Sequence, residues 1–393
     1  MPKSLWWSRP SLRTDEEDER HRAVTWLELF FDLVFVVVIA RLAHNLAGEL
    51  SPHGFLVFVL MFIAVFWVWN GAVYYVERFE SEGLEMRIFT FVVMVFVAGM
   101  ATYSHHGLEE NYRGFALSYL GARTVNIGLW LRAGLHVKRF RPISNRFGAG
   151  FLVTAGLIIG SFFVASPWHI VMWTVAILTD IVTPYFTMGL QAQLPRISTS
   201  KFPERFGLLT IIVLGESVVG VINGLSDYHH LTVETTLNGI LGLFIGFSLW
   251  WIYFDFIARR PPKEHITTTL FWVYMHVFFL TAVTMTGVAI TGLLGEELSG
   301  GVPGPFTALL LASVGLSILF IGGLEQTLSR SEDEPTHPLL SPLLKISAGV
   351  VLIALSFANL SHVTLALGLC ILGLLPQKVY GIMAWFGKES EAS

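Results

Sequence analysis

The chain has 393 residues, of which 53% are hydrophobic and 14% charged, with a net charge of −4 and a mean hydropathy of +0.63. A soluble domain carries about 25% charged residues, so this chain lacks the polar surface needed to face water. The small net charge excludes a nucleic-acid binder. The single cysteine, Cys370, excludes an intramolecular disulfide.

Apolar runs separated by polar connections are read in chain order at 24–47, 52–75, 86–105, 112–135, 147–166, 168–190, 206–224, 233–257, 267–293, 304–328, 340–358 and 361–376, the last two parted by a break at Asn359. Each is about as long as the 20 apolar residues that cross a bilayer as a helix. The fold class is therefore all-α integral membrane, with about 12 transmembrane helices. Residues 1–23 are too polar and mixed in charge for a cleavable signal, so the first span is expected to act as an uncleaved anchor.

Lysine and arginine set the expected direction. Residues 1–23 carry Lys3, Arg9, Arg13, Arg20 and Arg22, and every second connection repeats the bias. In order these hold Arg78 and Arg87; Lys138, Arg139, Arg141 and Arg146; Arg196, Lys201 and Arg205; Arg259, Arg260 and Lys263; Arg330 and Lys345. Lys378 and Lys388 follow at the C-terminus, whereas the intervening connections hold only Arg113. Both termini are expected in the cytoplasm.

The chain also reads as a duplication. Asp32 follows Glu19–Arg20 in span 1 as Glu216 follows Glu204–Arg205 in span 7; FIAVFWVW from Phe62 matches FIGFSLWW from Phe244, at offsets of 184 and 182 residues. The expected organisation is a cytoplasmic N-terminal segment (1–23), a first membrane half (24–190), a cytoplasmic linker (191–205), a second half (206–376) and a cytoplasmic tail (377–393). Six spans is an even number, so the halves form a parallel 6+6 repeat. Chance similarity between apolar helices is the competing explanation.

Charges in apolar helices carry the information, because each costs about 2.5–3.5 kcal/mol at mid-bilayer. Asp32, Arg123, Asp180, Glu216 and His276 fall near mid-span, Glu28 lies one turn before Asp32 on the same face, and Arg41 and His44 lie toward the other end of span 1. Three acids then share one evident cation. Arg123 can neutralise Asp32 or Asp180 by a bidentate contact; the acid left over takes up a proton or binds a cation, and His276 could relay protons. The competing reading is structural, with Arg123, Asp180 and Asp32 closing a packing network around a protonated Glu216.

Glu28, Glu77, Arg132, Asp255 and Glu325, near cytoplasmic ends, have reaching the headgroups as their simpler reading. Trp67, Trp69, Trp250 and Trp251 read as packing or a cavity wall, and Gly242 and Gly246 as a close helix contact. The pairs His105–His106 and His229–His230 offer no metal-ligand spacing. No GxSxG, HExxH, phosphate-binding glycine loop or CxxC is present in the sequence, and the loops are too short for a catalytic domain, so neither an enzyme nor a cofactor is expected.

The segments RHRAVTWLELFFDLVFVVVIARLAH (20–44), PERFGLLTIIVLGESVV (203–219) and LWWIYFDF (249–256) resemble the bacterial low temperature requirement A (LtrA) family. The resemblance implies a multi-pass inner-membrane protein connected with growth in the cold. It maps the family's polar residues onto Glu28, Asp32 and His44, and onto Glu204, Arg205 and Glu216. In place of a histidine common just before PERFG, this chain has Ser200 or Lys201. FFD at Phe30 to Asp32 is also similar to the FSD signature that opens each six-helix repeat of a lysosomal and bacterial potassium-channel family.

The leading reading is a proton- or cation-coupled secondary transporter of the cytoplasmic membrane. Its pathway would use Glu28, Asp32, His44, Arg123, Asp180, Glu204, Arg205, Glu216 and His276, with Asp32 and Glu216 as paired proton or cation sites and Arg123 as counter-charge. Its partners would be the lipid bilayer and an ion or small solute. The alternatives are a cation channel acting as a homodimer, and a non-transporting cold-stress factor that binds lipid or a partner.

Overall fold

A computed structural model describes residues 6–13, 24–80, 83–195, 201–226, 231–299, 304–331 and 334–391. Of the residues read above, Lys3, Glu19, Arg20, Arg22, Arg196, Ser200, His229 and His230 lie outside the described residues. Every one of the twelve apolar runs is helical. The helices are α1 (Trp26–Gly48), α2 (Pro52–Arg78), α3 (Leu84–Thr102), α4 (Tyr112–His136), α5 (Arg141–Ser161), α6 (Trp168–Val182), α7 (Lys201–Ser226), α8 (Val233–Tyr253), α9 (Ile266–Ser299), α10 (Gly304–Gln326), α11 (Leu340–Leu355) and α12 (Val363–Glu391). A short antiparallel ribbon joins β1 (Ser11–Leu12) to β2 (Phe79–Glu80).

Among the described residues, ten helices are long and apolar enough to cross a membrane. The remaining two, α1 and α4, have 23 and 25 residues but carry Glu28, Asp32 and Arg41, and Arg113, Arg123 and Arg132, respectively.

Local sequence fixes the ends. Thr25 Oγ1 accepts from Glu28 N at 3.3 Å while the Glu28 carboxylate accepts from Thr25 N at 2.7 Å, a capping box that starts α1. Ser51 caps α2 by accepting from Gly54 N, with Pro52 at the first helical position. Thr232 and Thr235 cap α8 reciprocally. The predicted break at Asn359 is a left-handed residue, φ 48°, which ends the helical turn that continues α11.

The chain divides into two compact units, residues 1–45, 51–205 and 265–267 forming the first and residues 46–50, 206–264 and 268–393 the second. In the first unit α3 packs on α4, α4 on α5 and α5 on α6, with α2 against both α4 and α6. In the second unit α10 packs on α11, α11 on α12, and α8 and α10 each contact α12. Gly315 of α10 and Gly349 of α11 bring those two backbones together: a Cβ on either would lie under 3 Å from the other's carbonyl oxygen.

Candidate functional site

The first unit gathers buried charge where α1 and α7 begin and α2 ends. Glu28 and Asp32 are one turn apart on α1, Lys201 and Arg205 one turn apart on α7, so the two pairs meet in register. Lys201 Nζ lies 2.8 Å from Glu28 Oε1. Arg205 grips Asp32 with both arms of its guanidinium, Nη2 to Oδ1 at 2.6 Å and Nε to Oδ2 at 3.1 Å. Trp69 Nε1 adds a third donor to Asp32 Oδ1 at 2.8 Å. Asp32 and Arg205 are 0% and 1% exposed. Asp32 is six residues from the first residue of α1, about 9 Å along the axis.

Glu77 is the third acid. It sits two turns beyond Trp69 on the same face of α2, 1% exposed. Lys201 Nζ approaches Glu77 Oε1 to 3.4 Å, yet neither carboxylate oxygen has a hydrogen bond. Arg78 turns away, to the Pro195 carbonyl and the Tyr74 hydroxyl. Glu28 lies in the first turn of α1, where the macrodipole favours negative charge, whereas Glu77 lies at a C-terminus, where it opposes it. Among the described residues three carboxylates thus contact two cations, and the least supported is Glu77.

Arg123 belongs to a separate network. Its Nε and Nη2 meet Asp180 Oδ2 and Oδ1 at 3.0 and 3.1 Å. The Tyr119 hydroxyl also donates to Oδ2, and Thr154 Oγ1 to Oδ1 at 3.3 Å. This pair is balanced and buried between α4, α5 and α6. Of the two partners open to Arg123 the fold uses Asp180, because Asp32 is taken by Arg205.

The remaining expected site residues are dispersed. Arg41, His44 and Glu204 are exposed. Glu216, in the second unit, is partly buried and has no hydrogen bond or ion pair among the described residues. His276 is 0% exposed and packs edge-on against Phe206. Its Nδ1 lies 2.8 Å from the Trp272 carbonyl, which can only accept, so Nδ1 carries the proton and Nε2 accepts from the Tyr253 hydroxyl at 3.0 Å. With both nitrogens engaged and no acid facing the ring, the geometry gives no route for the relay expected of it.

Two sequence expectations are corrected. The core does not hold one cation against three acids: Arg205, expected among the pathway residues, and Lys201, which reads as a linker charge, are buried partners of acids. Nor do Glu77 and Glu325 reach for headgroups. In the second unit Glu325, 4% exposed, accepts from Arg260 at 3.2 Å and from Ser341 and Lys345 at 3.0 Å each. Lys345 Nζ also lies 3.4 Å from the Phe256 ring centroid, and Arg260 Nη1 lies 3.7 Å from Glu334, so that cluster is balanced. Asp255 takes Trp251 Nε1 at 2.6 Å and Arg259 at 3.0 Å within the π-helical turn that ends α8. No group of three or more His, Cys, Asp or Glu among the described residues is arranged to hold a metal ion.

The sequence profile described as bacterial low temperature requirement A protein (LtrA) matches residues 23–372. The chain belongs to this family. It is also similar to an uncharacterized protein of Rhizobium meliloti, with 28% identity over 330 residues, or 79% of this chain and 78% of that one. No solved structure matches it. The family assignment and the ten apolar helices make the chain a multi-pass membrane protein. In this family member Lys201, in the stretch where the resemblance led us to expect a histidine, joins Glu28 to Glu77.

Proposed function

We propose that this LtrA family member is a proton- or cation-coupled secondary transporter of the bacterial cytoplasmic membrane, used in growth at low temperature. The observation that carries the reading is the Glu28–Asp32–Glu77 cluster, in which Lys201 and Arg205 are the only bonded cations among the described residues. A carboxylate left unmatched away from water is costly, and a proton or small cation at Glu77 relieves it. Such an exchangeable charge is what coupling requires; a purely structural network would balance, as Arg123–Asp180 does and as Arg260 and Lys345 do with Glu325 and Glu334.

In this reading all twelve helices cross, α1 and α4 included, with the two halves as a parallel repeat. Four helix pairs that pack in the first unit recur at equivalent positions in the second (α2–α4 and α8–α10, α2–α6 and α8–α12, α4–α5 and α10–α11, α5–α6 and α11–α12), which supports duplication. The lysine and arginine bias favours cytoplasmic termini. A reporter fused after Glu110 should then behave as external and one after Lys138 as cytoplasmic; the same side for both would refute a crossing by α4.

The test of function uses purified protein in liposomes with an internal pH dye, under imposed proton, sodium or potassium gradients. Glu77→Gln keeps the side-chain shape and removes the charge. Wild type should move protons or a cation, and the variant should fold normally while losing flux by at least about tenfold, as expected for loss of a required ionisable group. Equal flux in the two proteins would rule out Glu77 as the coupling group.

A further inference from the structure

The residues ahead of α1 are held against the first unit at both ends of a short stretch. β1 pairs with β2, Ser11 opposite Glu80 and Leu12 opposite Phe79, and Arg13 N donates to the Arg78 carbonyl at 3.2 Å. Upstream, Ser8 N and Oγ both donate to Glu85 Oε1 at 2.8 Å, and Gly83 N donates to Ser8 Oγ at 3.2 Å. Arg132 donates to the Ser8 carbonyl, and its guanidinium lies 4.5 Å over the Trp7 ring. The stretch therefore spans the end of α2, the start of α3 and the face of α4.

This attachment delivers a charge. Arg13 lines a cavity of about 670 Å³ whose walls include Glu28, Phe31, Phe79 and Arg205. No ion pair joins Arg13 to Glu77, but Arg13 N is bonded to the carbonyl of Arg78, the next residue, and its buried Nε has no hydrogen-bond partner. Among the described residues, three carboxylates face three cations with the stretch docked and two with it lifted.

We propose that residues 6–13 form an autoinhibitory strap, in which Arg13 stands in for the transported proton or cation beside Glu77 and must withdraw before the site loads. The inference rests on the transport reading and adds a regulator to it. The strap has no helix of its own and is joined to the first unit by two ribbon pairs and by polar bonds at Ser8 and Arg13, so it can open while the helices stay folded.

The experiment compares initial flux in liposomes for the full chain and four variants. Arg13→Gln removes the competing charge and should raise flux by about tenfold, the scale of one short-range charge–charge interaction in a partly buried site; Arg13→Lys should stay near wild type. Ser8→Pro removes both donors to Glu85 and the acceptor for Gly83, and should raise flux while also speeding alkylation of an added Leu12→Cys thiol. Arg13→Gln should raise flux without that faster alkylation. The native Cys370 is buried, so the added thiol reports alone. Glu77→Gln is the reference for the site itself. If Glu77→Gln abolishes flux while Arg13→Gln matches wild type, the strap is not inhibitory and the transport reading survives. Ser8→Pro that exposes the thiol without changing flux overturns the strap equally. No flux in any protein, wild type included, removes both readings.

Discussion

Arg123→Ala is expected to leave little folded protein, and Asp180→Asn added to it is expected to bring most of it back. The guanidinium makes two parallel bonds to Asp180 in a site where both partners are buried. Tyr119 and Thr154 would still donate to the stranded carboxylate, but neither carries the charge that offsets it. Breaking a buried pair from one side costs about 3–5 kcal/mol, whereas removing both charges is often close to neutral. The measurement is the yield and melting temperature of detergent-solubilised protein for the single variant, the double variant, and the Arg123→Ala, Asp32→Asn control. The control should stay as poor as the single variant. Rescue by Asp32→Asn instead of Asp180→Asn would contradict the pairing.

The second large effect is at Arg205. Arg205→Ala strips two of the three donors from Asp32, which is 0% exposed, and leaves Trp69 alone. The expected cost is again about 3–5 kcal/mol, relieved by Asp32→Asn. Here the double variant has a further consequence. It deletes one acid and one cation, so Glu28 and Glu77 still outnumber Lys201 by one, and the proposed coupling charge is preserved. Arg205→Ala, Asp32→Asn should therefore refold and keep flux, while Glu77→Gln folds and loses it. A double variant that is stable yet silent would place the function in the Asp32–Arg205 pair instead of at Glu77.

These two pairs also mark how far the residues could be read alone. Asp32, Arg123 and Asp180 stood out because a charge inside an apolar run has few inexpensive explanations, and the i,i+4 spacing of Glu28 and Asp32 put them on one face. Glu77 and Lys201 do not stand out in this way, because each lies at the end of an apolar run, where a long side chain ordinarily reaches water. The one signal that could have exposed them is the matching i,i+4 spacing of Lys201 and Arg205, which fits Glu28 and Asp32 rung for rung. Reading it would have required knowing that the start of α7 lies beside the start of α1, 173 positions earlier.

What the sequence by itself determined is the membrane class, the positions of twelve helices, the break at Asn359 and the family, because hydropathy, caps and local motifs act over a few residues. The tertiary structure decided which charge answers which. Arg123 takes Asp180, Arg205 takes Asp32, Lys345 and Arg260 share Glu325, and among the described residues Glu77 is left with Lys201 as its one bonded cation. Ion pairing in a low-dielectric interior depends on contacts of about 3 Å, and only the packing of helices distant in sequence brings those atoms within that reach.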